Sequence, residues 1–252
     1  MRDINLVTIK NGIEHKKGYT IDYVEAYRNL RTNLEFTSFN KALQVIVITS
    51  SSREEGKSTT SSNLAVTMAN YEERVLLIDA DLRIPNLNNI FRINNNTGLS
   101  TAMLHFKSKD FNLLDYCYQI KHSKIQNRLF VMPTGPIVPN PTAILSSARF
   151  FEFVTYLRDY FDKIIIDSPP VLPVAETIPI GLQSDGVLFC VAAQKTKRDH
   201  AKTAVEKLQR SNINVIGSVV TMIKDHENSY YHSYYSNDYQ PPKKGIFKFF
   251  SK

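Results

Sequence analysis

The 252-residue chain has few of the features that mark secreted or membrane-spanning proteins. Its two cysteines, Cys117 and Cys190, are too few for a disulfide framework and are typical of a reducing compartment. No apolar run approaches the roughly 20 residues that a transmembrane helix needs. The first residues lack the apolar core of a signal peptide, and no segment repeats. These absences argue against a secreted protein, an integral membrane protein and a solenoid, and predict a cytoplasmic one.

Positive charge is concentrated at the C-terminus. The net charge is +7, and the last twelve residues contain no acid and four lysines: Lys243, Lys244, Lys248 and Lys252. The rest of the chain therefore carries only about +3, which does not indicate nucleic-acid binding. The Lys–Phe segment 243–250 favours equally a weak contact with an anionic membrane surface and a solubilising terminus.

Short apolar runs alternate with helical patterns through the middle of the chain. Helical spacing occurs over 22–36, 58–70 and 199–210, and short apolar runs occur over 44–50, 74–79, 129–133, 163–170, 185–193 and 214–222. Continuous apolar runs suit strands that are covered on both faces, as in a parallel sheet. The alternation predicts a doubly wound, mostly parallel α/β domain with helices on both faces.

The domain boundaries follow from changes in composition. Residues 1–21 are polar and predict an N-terminal arm, and residues 22–224 predict the α/β domain. Residues 225–252 contain almost no aliphatic residues until their end, which predicts a mobile, tyrosine-rich tail.

The loop after the first long apolar run reads SSSREEGKST over residues 50–59. It matches the phosphate-binding pattern GxxxxGK[ST] at Gly56, Lys57 and Ser58, although Ser51 replaces the first glycine. Backbone N–H groups and a helix N-terminus would surround a polyphosphate here, with Lys57 reaching the β/γ-phosphates and Ser58 binding Mg²⁺. The alternative is a polar turn that happens to contain GKST.

Acidic residues close two further apolar runs. Asp79, Asp81 and Arg83 follow the run at 74–79, and Asp167 closes the run that begins at 163. Ligands of open α/β sheets bind beyond the carboxyl ends of the strands, where these acids would meet the loop. Each aspartate alone is also explained as a turn former or a helix cap. Together, the three segments favour a Mg²⁺–nucleotide site.

These motifs resemble those of the bacterial tyrosine kinases (BY-kinases), in particular the cytoplasmic CpsD/CapB type of capsule and exopolysaccharide loci. The family's Walker A, Walker A′ (DxDxR) and Walker B (DxP) motifs match the loop at 56–58, residues 79–83 and residues 167–169. The family's proline-rich stretch resembles residues 135–141, and its ExxRxxR oligomer-interface helix matches Glu25, Arg28 and Arg31. Its autophosphorylated tyrosine cluster resembles Tyr230, Tyr231, Tyr234, Tyr235 and Tyr239.

The resemblance implies a P-loop fold, the cofactors ATP and Mg²⁺, and a ring-shaped homo-oligomer that phosphorylates its C-terminal tyrosines between subunits. It also implies control of polysaccharide synthesis and export. The implied partners are a membrane activator of the polysaccharide co-polymerase type, which recruits the kinase to the inner face of the membrane, and an opposing tyrosine phosphatase. The nucleotide loop would comprise Ser52, Glu55, Gly56, Lys57, Ser58 and Thr59.

The expected roles follow from the chemistry of phosphoryl transfer. Ser58, Asp81 and Asp167 would hold Mg²⁺, and Asp79 would accept or orient the tyrosine proton, although the sequence leaves the roles of Asp79 and Asp81 exchangeable. Arg83 would organise the acids or the transferring phosphate.

The residues also leave alternative hypotheses to be weighed. Glu54 places a carboxylate where the family usually has glycine, which would weaken phosphate binding unless Arg53 offsets it and which motivates a catalytically weak scaffold as an alternative. A MinD/ParA-type switch ATPase is the other alternative, but Ser52 stands where that class has its signature lysine. For Glu25, Arg28 and Arg31, an intrahelical ion pair is the alternative to an interface.

Overall fold

The fold was analysed in a computed structural model that describes residues 3–5, 23–37, 42–71, 73–122 and 125–223. The strands are β1 (Asp3–Asn5), β2 (Val45–Ser50), β3 (Val75–Asp79), β4 (Tyr118–Lys121), β5 (Leu129–Met132), β6 (Lys163–Asp167), β7 (Gly186–Ala192) and β8 (Val215–Thr221). The helices are α1 (Tyr23–Thr37), α2 (Lys57–Ala69), α3 (Leu87–Phe91), α4 (Leu99–His105), α5 (Pro141–Leu145), α6 (Ala148–Leu157), α7 (Thr177–Leu182) and α8 (Arg198–Arg210). A short 3₁₀ helix covers Leu113–Tyr116.

The strands form one eight-stranded sheet in the order β1-β4-β5-β3-β6-β2-β7-β8. All neighbouring pairs are parallel except β4 and β5, which are antiparallel. The predicted doubly wound, mostly parallel α/β fold is therefore confirmed. The central strands β2, β3 and β5 are buried at every residue, as their continuous apolar runs require.

Helices cover both faces of the sheet. On one face, Phe150 and Phe153 of α6 pack in a cluster that also includes Leu208 of α8. On the other face, Leu64 and Met68 of α2 pack against a second cluster. Because helices cover both faces, a ligand is expected to bind at the edge of the sheet formed by the carboxyl ends of the strands.

The structure corrects two details of the sequence prediction. Residues 3–5, assigned to an N-terminal arm, form an edge strand that pairs with β4. In α1, Leu34 is buried and Leu30 half-buried, but Val24, expected on the apolar stripe, is exposed because it lies in the first turn. The predicted tail, residues 225–252, lies outside the described residues.

None of the helices in the described part of the chain combines the length and the apolar character that crossing a membrane requires.

Candidate active site

The loop between β2 and α2 has the backbone geometry of an anion cradle. Gly56 takes a left-handed φ of +87° immediately before α2 begins at Lys57. A Cβ atom at Gly56 would lie 3.0 Å from the Thr221 side chain, so both backbone angle and space require glycine. The Thr221 hydroxyl donates to the carbonyl oxygen of Glu55 at 2.8 Å, so the end of β8 holds this turn in place. The N-terminus of α2 is thereby presented to the space above the sheet.

Glu55 supports the loop from inside. Its carboxylate is buried and accepts hydrogen bonds from the Ser51 hydroxyl at 3.0 Å and from the Ser52 backbone N–H at 2.7 Å. The Thr196 hydroxyl donates to it at 2.6 Å. Ser51, the residue in place of the first glycine of the pattern, is therefore a donor to Glu55. Ser52 and Glu55 were both expected to bind nucleotide. The backbone N–H of Ser52 and the carboxylate of Glu55 instead bind each other and stabilise the loop.

Glu54 lies on the outside of the same loop with a left-handed φ of +57°. Such a backbone angle costs a non-glycine residue about 1 kcal/mol or more. Its carboxylate accepts a hydrogen bond from the Lys195 ammonium at 2.6 Å, which holds the pKa of Glu54 below its usual value. The sequence predicted that Arg53 would offset the charge of Glu54, but Arg53 has no ion pair with another described residue. Lys195 neutralises the Glu54 carboxylate instead.

Three aspartates converge beside the loop. Asp79 and Asp167 occupy paired positions at the ends of β3 and β6. Asp79 accepts hydrogen bonds from the backbone N–H groups of Asn86 at 2.9 Å and Leu87 at 3.0 Å. It therefore also stabilises a turn, which was the alternative explanation for an aspartate at this position. Asp81 follows β3 and is half-buried. The strand ends thus bring together acids that lie 88 residues apart in sequence, counting from Asp79 to Asp167.

The electrostatics of these groups show how close they are. Burial and the neighbouring Asp79 raise the pKa of Asp167 to about 8, opposed by a hydrogen bond from Ser58 and the charge of Lys57. Burial likewise raises the pKa of Asp79 to about 6. Burial also raises the pKa of Asp81, opposed in part by Lys57. Lys57, Ser58 and the three acids therefore share one small region, in which the charge of Lys57 opposes the raised pKa values of Asp81 and Asp167.

The donor set fits a magnesium ion that arrives with a phosphate. The Oδ1 atom of Asp167 is buried and has no hydrogen-bond partner among the described residues, and the Ser58 side chain lies next to this carboxylate. No group of three or more His, Cys, Asp and Glu residues in the described segments is arranged to hold a metal by itself. Mg²⁺ commonly combines one or two carboxylates with substrate phosphates and water, which suits this arrangement.

Arg83 binds Glu176 in place of the nearby aspartates' carboxylates. Its Nε and Nη2 atoms donate to Oε1 of Glu176 at 2.9 and 2.6 Å, and Thr142 donates to the same oxygen at 2.8 Å. Burial raises the pKa of Glu176, but the hydrogen bonds from Thr142 and Arg83 outweigh it and hold that pKa below its usual value. Thr142 lies in α5, directly after the proline-rich stretch, so Arg83 connects the DxDxR motif to that stretch.

Sequence reasoning missed four residues that support the site: Glu176, Lys195, Thr196 and Thr221. Glu176 lies 93 residues from Arg83, Lys195 and Thr196 each lie 141 residues from their partners in the loop, and Thr221 lies 166 residues from Glu55. No local pattern could have signalled contacts over such separations. Thr59, predicted with the nucleotide loop, is exposed in the first turn of α2.

The charged residues of α1 make contacts within the subunit. Arg28 pairs with Glu25 at 3.2 Å, and both side chains are about half exposed. Arg31 is mostly buried; it pairs with Glu35 at 2.5 Å and stacks 3.8 Å from the ring centre of Tyr71. Arg28 is therefore the arginine better placed to reach a neighbour. The tyrosine cluster at 230–239 lies outside the described residues.

Comparison with known proteins now decides the family. An AAA-domain model matches residues 43–210. The tyrosine-protein kinase YwqD of Bacillus subtilis is 35% identical over 214 residues, which cover 85% of this chain and 87% of YwqD. The putative tyrosine-protein kinase CapB of Staphylococcus aureus is 31% identical over 85% of this chain and 90% of its own length. The chain belongs to the bacterial tyrosine-protein kinase family.

Solved structures agree with this membership in the bacterial tyrosine kinases. The chimerical protein CapA2B2 superimposes with a TM-score of 0.74 at 29% identity, covering 88% of this chain and 93% of that one. The septum site-determining protein MinD of Pyrococcus horikoshii, complexed with Mg-ADP, reaches a TM-score of 0.56 at 19% identity over 70% of this chain and 69% of MinD. MinD therefore shares the fold alone with this chain.

Proposed function

We propose that this chain is an ATP-dependent protein-tyrosine kinase that phosphorylates tyrosines of its own C-terminal segment between subunits of a ring-shaped oligomer. Residues 22–224 would form the kinase domain, and Tyr230, Tyr231, Tyr234, Tyr235 and Tyr239 would be the acceptors. The observation that supports this most directly is the buried Oδ1 atom of Asp167, which lies beside Lys57 and Ser58 and has no hydrogen-bond partner in the part of the chain that the structure describes. A buried acceptor without a partner is costly and is satisfied by a cation, as phosphoryl transfer requires.

We propose one role for each residue of the site. Lys57 would contact the β- and γ-phosphates, while Ser58, Asp81 and Asp167 would hold Mg²⁺ directly or through water. The bound Mg²⁺ would neutralise charge on the phosphates. The tyrosine Oη would form a bond to the γ-phosphorus as the bond to the β–γ bridging oxygen breaks, ADP leaves, and the phenolic proton passes to Asp79. Asp81 remains the alternative acceptor of that proton.

Arg83 would act indirectly, through its contact with Glu176. Because Glu176 anchors its guanidinium, Arg83 is proposed to hold the segment after β3 against the proline-rich stretch. That contact would keep Asp79 and Asp81 at the edge of the site. Gly56 and Thr59 would complete the nucleotide loop with the backbone N–H groups of the first turn of α2.

The cellular role rests on family membership. We propose that the kinase works on the cytoplasmic side of the membrane in capsular or exopolysaccharide synthesis, with a polysaccharide co-polymerase-type membrane protein as activator and a tyrosine phosphatase as opponent. Each phosphorylated tyrosine would add roughly −1.5 to −2 charge, so a modified cluster would repel itself and loosen the ring. The Lys–Phe segment at 243–250 would add a weak contact with anionic lipid.

One assay separates this proposal from its alternatives. The full-length chain is incubated with Mg-ATP, alone and with an activator's cytosolic segment, and phosphotyrosine and free phosphate are measured together. Phosphotyrosine that disappears in Lys57→Met supports the kinase. Free phosphate without phosphotyrosine would indicate a switch ATPase. Neither product, with activator binding retained, would indicate a scaffold.

A further inference from the structure

Glu55 lies between two residues of the phosphate loop that have a left-handed backbone. Glu54 has a φ of +57° and Gly56 has a φ of +87°. Sparsely populated backbone conformations persist only where the surrounding structure over-determines them, and they cluster at ligand-binding sites. The contacts that fix Glu55 are therefore the contacts that fix the shape of the loop.

A threonine at the end of β8 holds the main chain of Glu55. The Thr221 hydroxyl donates to the carbonyl oxygen of Glu55 at 2.8 Å. The Thr221 side chain also packs beside Gly56, where an added Cβ atom would lie 3.0 Å from its methyl carbon. Thr221 is itself anchored, because its carbonyl oxygen accepts a hydrogen bond from the backbone N–H of Ala193 at 2.9 Å. The end of β8 therefore sets the position of the Glu55 carbonyl.

A second threonine, in the loop between β7 and α8, holds the side chain of Glu55. The Thr196 hydroxyl donates to Oε1 of Glu55 at 2.6 Å and accepts a hydrogen bond from the backbone N–H of Ala192 at 2.8 Å. A hydroxyl has a single proton, so the bond from Ala192 leaves that proton for the carboxylate. The backbone N–H groups of Lys195 and Thr196 also donate to the Ala192 carbonyl, at 3.0 and 2.9 Å. The Glu55 carboxylate is therefore fastened to a turn that closes on the end of β7.

These contacts form a closed cycle of hydrogen bonds. The cycle runs from the Glu55 carboxylate through Thr196 to Ala192, crosses from Ala193 to Thr221, and returns to the carbonyl of Glu55. The side chains proposed to bind phosphate and Mg²⁺ are not part of it. Two threonines therefore act on one glutamate, one through its carbonyl and one through its carboxylate.

We propose that Thr196 and Thr221 are positioning residues of the nucleotide site, which hold the phosphate loop in the conformation that binds the nucleotide's phosphates. Glu55 directly precedes Gly56, so a shift of its carbonyl would turn the first backbone N–H groups of α2 away from the phosphates. A loop that is already ordered loses less entropy on binding, and the difference appears as affinity. The role of both threonines rests on the proposed function, because the loop is taken to bind the phosphates of ATP.

The test measures the binding of Mg-ADP to the full-length chain by calorimetric titration. The KM for ATP and kcat are measured separately, from the formation of phosphotyrosine. Thr196→Val and Thr221→Val keep the shape of each side chain and remove its hydroxyl, whereas Thr196→Ser and Thr221→Ser keep the hydroxyl. Thr203→Val, at an exposed threonine of α8, is the matched control. Urea unfolding of every variant is recorded in parallel.

We expect each valine variant to bind Mg-ADP about three- to tenfold more weakly, the effect of losing one hydrogen bond that fixes the loop. The KM for ATP should rise by the same factor while kcat changes less than about twofold, because the loop acts on binding. Each serine variant should recover most of the affinity, and Thr203→Val should match the unsubstituted chain. The double valine variant should lose less than the product of the two single losses, because both bonds act on Glu55.

The same Mg-ADP affinity in all variants would overturn the assignment. A lower free energy of unfolding with unchanged affinity would also overturn it, since the threonines would then have a structural role alone. A serine variant as weak as its valine counterpart would exclude the hydroxyl as the cause, and losses that simply multiply would exclude a common action through Glu55.

The proposed kinase function fails in a different way. The affinities for Mg-ADP would then follow the expected pattern, but neither the unsubstituted chain nor any variant would form phosphotyrosine. Binding of Mg-ADP tests the two threonines, and phosphotyrosine tests the kinase, so the two failures are distinguishable.

Discussion

Glu54 and Lys195 form an ion pair of 2.6 Å across 141 residues of sequence, from the phosphate loop to the loop after β7. The pair gives the Glu54 carboxylate a cation on the outside of the phosphate loop. It does not remove the backbone cost, because Glu54 keeps a left-handed φ of +57°. Glu54 therefore has two separable effects: its charge acts on the electrostatics of the loop, and its left-handed backbone acts on stability.

Glu54→Gly should affect both quantities. Removing the carboxylate should tighten ADP binding by about two- to fivefold, the size of a screened charge interaction near the surface. Removing the side chain from a left-handed position should raise the free energy of unfolding by about 0.5–1 kcal/mol. Titration calorimetry and urea unfolding measure the two effects.

Glu54→Gln is the matched control, because it removes the charge and keeps the strained side chain. It should tighten ADP binding without the gain in stability. If neither substitution changes the affinity, the Glu54 charge has no influence on the phosphates.

Arg83 and Glu176 should show strong coupling in a double-mutant cycle. Arg83→Ala leaves a buried carboxylate without its main partner and should cost about 1–3 kcal/mol of unfolding free energy. Adding Glu176→Gln should recover part of that loss, since an amide is cheaper to bury than a charge. Urea unfolding of the four proteins measures the coupling.

The exposed pair Lys107–Glu152 provides the comparison for this cycle, with side chains 58% and 48% exposed. Its cycle should yield less than about 1 kcal/mol. Similar coupling in both cycles would mean that the Arg83 contact is an ordinary surface pair.

Asp185 should stabilise the fold by binding the backbone at the start of β2. It accepts hydrogen bonds from the N–H groups of Gln44 and Val45 at 3.0 and 2.8 Å, and Arg158 donates to both of its oxygens. Asp185→Asn should cost about 1–3 kcal/mol of unfolding free energy, because a charged acceptor of several donors is lost. Glu206→Gln, which removes the acid shared by two exposed pairs on α8, with Lys202 and with Arg210, should cost far less.

The same residue predicts a pH dependence with a defined sign. Burial raises the pKa of Asp185, but the hydrogen bonds from Arg158, Val45 and Gln44 outweigh it and hold that pKa below the usual value. Its contribution is therefore complete above the unfolded pKa of about 4 and disappears as the pH falls through the lower folded pKa. The stability difference between the unsubstituted chain and Asp185→Asn should be constant from about pH 5 to 7 and shrink below about pH 4. A difference that does not vary with pH would contradict the proposed charge role.

The two arginines of α1 should separate assembly from stability. Arg28→Ala should lower the mass on a sizing column and leave the unfolding free energy nearly unchanged, because within the described residues Arg28 pairs with Glu25 alone and that pair is exposed. Arg31→Ala should lower the unfolding free energy, because the mostly buried guanidinium stacks on Tyr71 and neighbours Glu73. Lys202→Ala, exposed on α8, should change neither property. An unchanged mass for Arg28→Ala would exclude it from the interface.

The fold was predictable where strands are buried on both faces. The run at 44–50 became Val45–Ser50, and the run that begins at 163 became Lys163–Asp167, because continuous apolar residues leave little doubt about position. β4 was missed, because only alternate residues of Tyr118–Lys121 are buried and no continuous run results. β1 was missed because three polar-flanked residues at an edge carry too little pattern.

The sequence by itself determined which residue types stand at 56–58, 79–83 and 167, a set that suits a phosphate and its cation. Only the tertiary structure decided which polar groups meet: Lys195 with Glu54, Glu176 with Arg83, and Thr196 with Glu55. The physical reason is that a local pattern records periodicity and backbone preference over a few residues. Contacts between distant loops arise from the order of strands in the sheet, which brings their ends to one edge.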